Sequence, residues 1–248
     1  MFIPKTSKLQ NLAIKYPKRI GELDSVFDKH SNVYIDFANM IRWQTKLGWH
    51  IDLKRMKQLF DSFSTIQKVK FYQGTIVGDI KSEEFIDQVK NEMGYQLITK
   101  PVKIMRISID TSSISEDSPA ILKQFIRHPL LQKLPVETIV SLNQKLAELN
   151  RQGIKFLEDL KCNFDVEIGR DMLLDYGKNS VDNFILCSGD SDFADPIKQL
   201  LVDGKRVVLF STARRVASEL NDLKKWGLLI FDLQKIRNFI CWRREIQK

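Results

Sequence analysis

Apolar and polar positions along this chain alternate between two rhythms. Short, β-branched or aromatic runs of strand length, such as SNVYID at 31–36, KVKFYQG at 68–74, FILC at 184–187 and KRVVLFS at 205–211, stand between stretches with apolar residues at helical spacing. Asp52 precedes LKRMKQLFDSF and is placed to cap it, SEEFIDQVKNEMG (82–94) stops on Gly94, and DFADPIKQLLVDG (192–204) stops on Gly204. DVEIGRDMLLDYG (165–177) and ARRVASELNDL (213–223) read as further helices, and GLLIFDL (227–233) as a last extended segment. YQLITKPVKIMRISID (95–110) reads as extended, interrupted by Pro101. Strands alternating with helices of this length predict an α/β fold with a mostly parallel sheet and helices on both faces.

Two segments fall outside that rhythm. Residues 1–30 are polar and basic with scattered apolar positions, and read as an N-terminal arm packed on the core. After the polar loop TSSISEDS, the stretch from Pro119 to about Asp159 carries helical patterns, ILKQFI and then VETIVSLNQKLAELNRQGIKFLEDL. The expected organisation is an arm at 1–30 and one domain over 31–248, with a helical insertion at about 111–160.

Composition narrows the chemistry. The apolar runs are too short to span a membrane, and the N-terminus lacks the apolar core of a signal peptide, so the cytosol is the expected compartment. Cys162, Cys187 and Cys241 have no CxxC spacing and read as reduced thiols. His30, His50 and His128 form no HxH or HExxH pattern, so any metal would take oxygen ligands. The net charge of +8 favours polyanionic partners.

Against this basic average, acids gather where strands end. In an open parallel sheet the functional crevice lies beyond the carboxyl ends of the strands. Asp36 ends the first strand, with Asn39 three residues on; Asp190 and Asp192 follow FILC; Asp165 opens the helix that also carries Glu167 and Asp171. Each has a plainer role. Asp165 and Asp192 suit helix caps, and Glu167, four positions before Asp171 on one helical face, could be the acid facing the crevice while Asp171 pairs with Lys178 or solvent. Asp36 is harder to explain without a ligand, since it ends a strand as apolar as VYI. Converging carboxylates repel and raise one another's pKa, which a divalent cation would relieve, and carboxylate and water ligands suit Mg²⁺ or Mn²⁺.

These residues carry a family resemblance. YIDFANM (34–40), FYQG (71–74), GYQLITKPVK (94–103), KCNFDVEIGRDML (161–173) and CSGDSDFADPIKQLLVDGKRVVLF (187–210) resemble, in order, the NYN domain family, the LabA-like branch of the PIN-like nucleases. The resemblance implies a Rossmann-like PIN fold and a Mg²⁺- or Mn²⁺-dependent endoribonuclease. It implies Asp36, Asp165, Asp171, Asp190 and Asp192 as catalytic acids, with Asp36, Asp171, Asp190 and Asp192 as metal ligands. Asn39 would orient the first acid or its bound water. The N-terminal arm and the long insertion depart from the family pattern and leave substrate choice and oligomeric state open.

RNA contacts are expected from MIRWQTKLGWH (40–50), where Arg42 and Lys46 interleave with Trp43 and Trp49, a pattern suited to phosphates and stacked bases and equally to tryptophans covering the core. Lys100, Lys103, Arg214 and Arg215, and Ser188 beside the acid pair, complete the expected substrate contacts; Trp242, Arg243 and Arg244 are further candidates. The rival reading is an RNA-binding module with the same fold and no turnover. A phosphatase would want a DxD start where the chain has DFAN, and metal-free cleavage by two histidines would persist in EDTA.

Overall fold

The computed structural model describes residues 1–179, 181–212 and 216–245 and, within them, all side chains but those of Lys46 and residues 242–245. Its strands are β1 (Ser31–Asp36), β2 (Trp49–Ile51), β3 (Ile66–Thr75), β4 (Gln96–Pro101), β5 (Lys103–Ser108), β6 (Phe156–Lys161), β7 (Asn183–Cys187), β8 (Arg206–Ser211), β9 (Leu229–Asp232) and β10 (Cys241–Glu245). Its α-helices are α1 (Ser7–Lys15), α2 (Pro17–Val26), α3 (Phe37–Ile41), α4 (Gln44–Leu47), α5 (Leu53–Phe60), α6 (Ile80–Asp87), α7 (His128–Leu131), α8 (Val136–Arg151), α9 (Asp165–Gly177), α10 (Ala194–Val202), α11 (Ser218–Asp222) and α12 (Arg237–Ile240). They fall into two compact units, one formed by residues 1–101 and 163–248 and the other by 102–162.

The larger unit is built on a six-stranded sheet in the order β4-β3-β1-β7-β8-β9, parallel throughout. From β1 the chain moves outward through β3 and β4, then returns to lay β7 on the other side of β1 and continues outward through β8 and β9. The order therefore reverses between β1 and β7, and open parallel sheets bind their ligands beyond the strands' carboxyl ends at such a switch point. Both strands are buried along their whole length, which their apolar runs anticipate.

The two faces differ in chemistry. Val33, Ile35, Phe71, Ile185, Cys187 and Phe210 point to one side, into the main apolar core, where α1, α2, α5 and α12 contribute Leu9, Leu23, Val26, Met56, Phe60 and Phe239. Asp52 caps α5 as expected, its Oδ1 accepting from Arg55 N at 3.0 Å. Asn32, Tyr34, Lys70 and Tyr72 lie on the opposite side, where α9 meets them with Asp171 and Asp175. The 1–30 segment thus forms two helices that supply core residues.

In the smaller unit, β5 and β6 form a two-stranded antiparallel ribbon, from Lys103↔Lys161 to Ser108↔Phe156. Leu122, Leu131 and Ile139 form a separate small core with Ile126, Leu134, Leu142 and Leu146 packed on it. Asn150 ties the loops, accepting from the backbone and hydroxyl of Thr111 and donating to Ile109 O and Ile154 O. Two expectations are corrected here. The helix predicted to run to about Asp159 ends at Arg151, where Gln152 and then Gly153 at φ +87° turn the chain, and Phe156–Lys161 is a strand. The extended segment 95–110 is split at Val102 between the parallel sheet and the ribbon.

Candidate metal and catalytic site

Asp36 stands at the carboxyl end of β1 and is 7% exposed. It also caps α3, its Oδ1 accepting from Asn39 N at 3.1 Å. Its Oδ2 accepts from the Ser188 hydroxyl at 3.1 Å, which joins the ends of β1 and β7. Asn39 makes a second tie between these loops, its side-chain Oδ1 accepting from Gly189 N at 3.3 Å. Asn39 thus orients the first acid through its backbone N–H, while its amide holds the loop carrying Asp190.

Burial pushes the Asp36 carboxyl up to about 6; the Asn39 and Ser188 hydrogen bonds pull the other way, and Asp165 and Asp190 raise it further by facing it. Asp165, the first residue of α9, is raised as well, by burial first and then by Asp190, Asp192 and Glu167; its backbone N–H donates to Asn163 Oδ1 at 2.7 Å. Asp36, Asp165, Asp190 and Asp192 therefore share one electrostatic neighbourhood at the switch point. Asp190, rather than Asp192, is the capping residue of this stretch: its Oδ1 accepts from Asp192 N at 3.2 Å at the start of a 3₁₀ turn (Ser191–Phe193) that leads into α10. The expected cap by Asp165 is corrected likewise, since Phe164 precedes α9 without a side-chain cap.

Asp171 is engaged elsewhere. Its Oδ2 accepts from the Tyr72 hydroxyl at 2.8 Å, its Oδ1 from Arg170 at 2.9 Å, and Lys70 Nζ lies 3.8 Å away. One turn on, Asp175 accepts from Tyr34 at 2.6 Å, Asn32 at 2.8 Å and Lys70 at 2.9 Å. Burial works against the Asp175 charge, yet these hydrogen bonds hold its carboxyl below the ordinary range, while burial and the two acids push both tyrosines far up. The residues are a buried polar pedestal beneath the rim, which sequence reasoning missed. Its signal was present as a period-2 stripe of polar residues, Asn32, Tyr34, Lys70 and Tyr72, in strands otherwise built for burial.

The expected substrate contacts divide. Ser188 is buried and holds Asp36. Lys100 Nζ lies 2.6 Å from Glu167 Oε1 and 4.6 Å from the centre of the Phe164 ring; Glu167 Oε2 is buried without a partner. Burial works against the Glu167 charge, but Lys100 brings its carboxyl below the ordinary value. Trp43 is corrected to a core residue: it and Trp49 are each 1% exposed and leave no face for a base, whereas Arg42 is exposed. Lys103 is exposed in the smaller unit. Arg214, Arg215 and the side chains of Lys46, Trp242, Arg243 and Arg244 lie outside the described residues.

The donor set of Asp36, Asp165, Asp190 and Asp192 is carboxylate oxygens, which suits a hard divalent cation, and the Asp36 carboxyl is raised by burial first and by Asp165 and Asp190 after it. In their present rotamers, no three acid, His or Cys side chains among the described residues close on a single point. The fit is one of chemistry and charge, with the carboxylates still spread.

Comparisons with known proteins agree with the family resemblance. Residues 129–225 match the NYN domain, a span that contains Asp165, Asp171, Asp190 and Asp192 but begins after Asp36. The chain is similar to the low amplitude and bright protein LabA of Synechococcus elongatus, 25% identical over 211 residues that cover 84% of this chain and 86% of that protein. It shares its fold with a crystal structure of a protein of unknown function from Vibrio parahaemolyticus, at a TM-score of 0.50 and 16% identity, over 86% of this chain and 96% of that one. The expected α/β fold with a parallel central sheet is borne out, and no helix among the described residues is long and apolar enough to cross a membrane.

Proposed function

We propose that this NYN-like chain is a divalent-metal-dependent endoribonuclease of the cytosol, cutting RNA phosphodiesters at the rim between β1 and β7. The observation that carries the reading is the convergence on Asp36 of Asp165 and Asp190, from distant parts of the chain, at a buried strand end where its carboxyl is raised to about 6. Asp36, Asp165, Asp190 and Asp192 would hold Mg²⁺ or Mn²⁺ through carboxylate oxygens. Such an ion, when bound, supplies a more acidic water and offsets the charge that develops on the phosphate.

The protein's own groups do the rest. Ser188 and the Asn39 backbone fix the Asp36 oxygens, so that the carboxylate is oriented before any ligand arrives. Asn39 also holds the Gly189 loop against β1. Lys100, at the end of β4, offers a cation to a phosphate if it leaves Glu167. Asp171 and Asp175 hold α9 through Tyr72, Tyr34 and Lys70, and α9 in turn presents Asp165.

The spread of the carboxylates favours a second reading, an RNA-binding module without turnover. One experiment separates the two: labelled single-stranded RNA incubated with the protein in Mn²⁺ or in EDTA, alongside Asp190→Asn. Cleavage that requires Mn²⁺ and is lost in the variant supports the enzyme. A retarded but intact RNA supports the module.

A further inference from the structure

The ribbon β5/β6 stands apart from the packing of its own unit. All six residues of β6 are exposed, and no residue of either strand enters the small core of Leu122, Leu131 and Ile139. Ile104 is 57% exposed, Phe156 53% and Leu160 53%. A lone two-stranded ribbon is marginal in water, and apolar side chains laid open on it add to the cost.

The pairing register gives one face a definite pattern. Ile104 lies opposite Leu160, Arg106 opposite Glu158 and Ser108 opposite Phe156, and side chains two apart along a strand share a face. A two-fold axis parallel to the strands, set above this face, carries β5 of one copy over β6 of the other without shifting residues along the strands. Ile104 then meets the partner copy's leucine, Arg106 meets its glutamate, and Phe156 meets its small serine. No like charges oppose one another among these six positions, and the largest side chain, Phe156, falls on the smallest, Ser108. Within one copy Arg106 Nε already lies 3.4 Å from Glu158 Oε1, with both side chains more than half exposed, so the pair is free to re-form across an interface.

We propose that this face docks on the same face of a second copy of the chain, giving a two-fold dimer through stacked ribbons. The contact is isologous, as closed dimers require, and sheet-on-sheet packing covers the exposed isoleucine, leucine and phenylalanine. The occupant is a second copy because the charge and size pattern complements itself.

The test is the mass of the whole 248-residue chain in solution, by light scattering or sedimentation up to about 100 µM, where even a micromolar dimer is populated. The wild type should run at twice the chain mass. R106E and E158R should each fall to the monomer mass, because each then opposes like charges. Mixing these two variants, or combining them as R106E/E158R, should restore the dimer, which a fault in folding would not do. A wild type that stays monomeric overturns the proposal, as does a dimer that both single variants leave intact.

Discussion

The Ser188 hydroxyl donates to Asp36 Oδ2 at 3.1 Å across the reversal in strand order, linking two residues 152 positions apart in the chain. Asp36 is otherwise 7% exposed and faces two other acids, so this bond and the one from Asn39 N are what offset its burial. Ser188→Ala should therefore raise the Asp36 carboxyl further, weaken Mn²⁺ binding about tenfold near pH 7, and move the acid limb of the pH profile upward. Titration calorimetry with Mn²⁺ at pH 6 and pH 8 checks this, the loss being larger at pH 6.

Asp36 also makes a prediction about stability in EDTA. Its folded value of about 6 lies above the ordinary 3.8, so its contribution is complete below about pH 4 and is lost as pH rises through 6, by about 3 kcal/mol in all. Asparagine keeps the cap on α3 without the charge. The Tm of Asp36→Asn should pull ahead of the wild type steadily between pH 4 and 7 in scanning calorimetry. A gap that does not change with pH would contradict the assignment.

The polar pedestal predicts a split between stability and metal binding. Lys70→Met leaves Asp171 and Asp175 buried beside one another without their shared cation, and should cost about 3–5 kcal/mol in denaturant unfolding. Asp171→Asn should lower stability while leaving Mn²⁺ affinity within about twofold. Asp190→Asn should do the reverse.

RNA affinity should fall with salt, by about 0.7 log units per log unit of salt for each phosphate contacted on a single strand. Lys100→Gln should remove about one such unit from the slope. Trp43→Ala should leave the slope unchanged and destabilise the fold by about 3–5 kcal/mol, because the ring is core. Fluorescence anisotropy over a salt series, paired with urea unfolding, reads both.

The gathering of the acids was legible in the sequence where local rules and topology agree. Asp36, Asp165 and Asp190 could be placed because an apolar strand or a helix start fixes where each side chain begins, and a parallel sheet brings those ends to one rim. Asp171 could not, since one helix displays side chains all round and only the packing of α9 turns this one toward Tyr72. Trp43 and Trp49 were ambiguous because aromatics among basic residues suit an RNA surface and a core alike, and burial decided it. Phe156, Leu157 and Leu160 fit helical spacing as well as a strand, so the end of α8 at Arg151 and the pairing with β5 were hidden until the chain turned at Gly153. The polar stripe on β1 and β3 gave a signal that only the position of α9 made readable.

As proposed, Asp36, Asp165, Asp190 and Asp192 would hold one divalent cation between them. Anomalous diffraction from crystals soaked in Mn²⁺ tests it most directly. A peak is expected in coordination distance of Asp36 and Asp190, with Asp165 and Asp192 rotated to join them and Asp171 still bound to Tyr72. A peak ligated by Asp171 and remote from Asp36, or saturating Mn²⁺ with no peak at this rim, would contradict it.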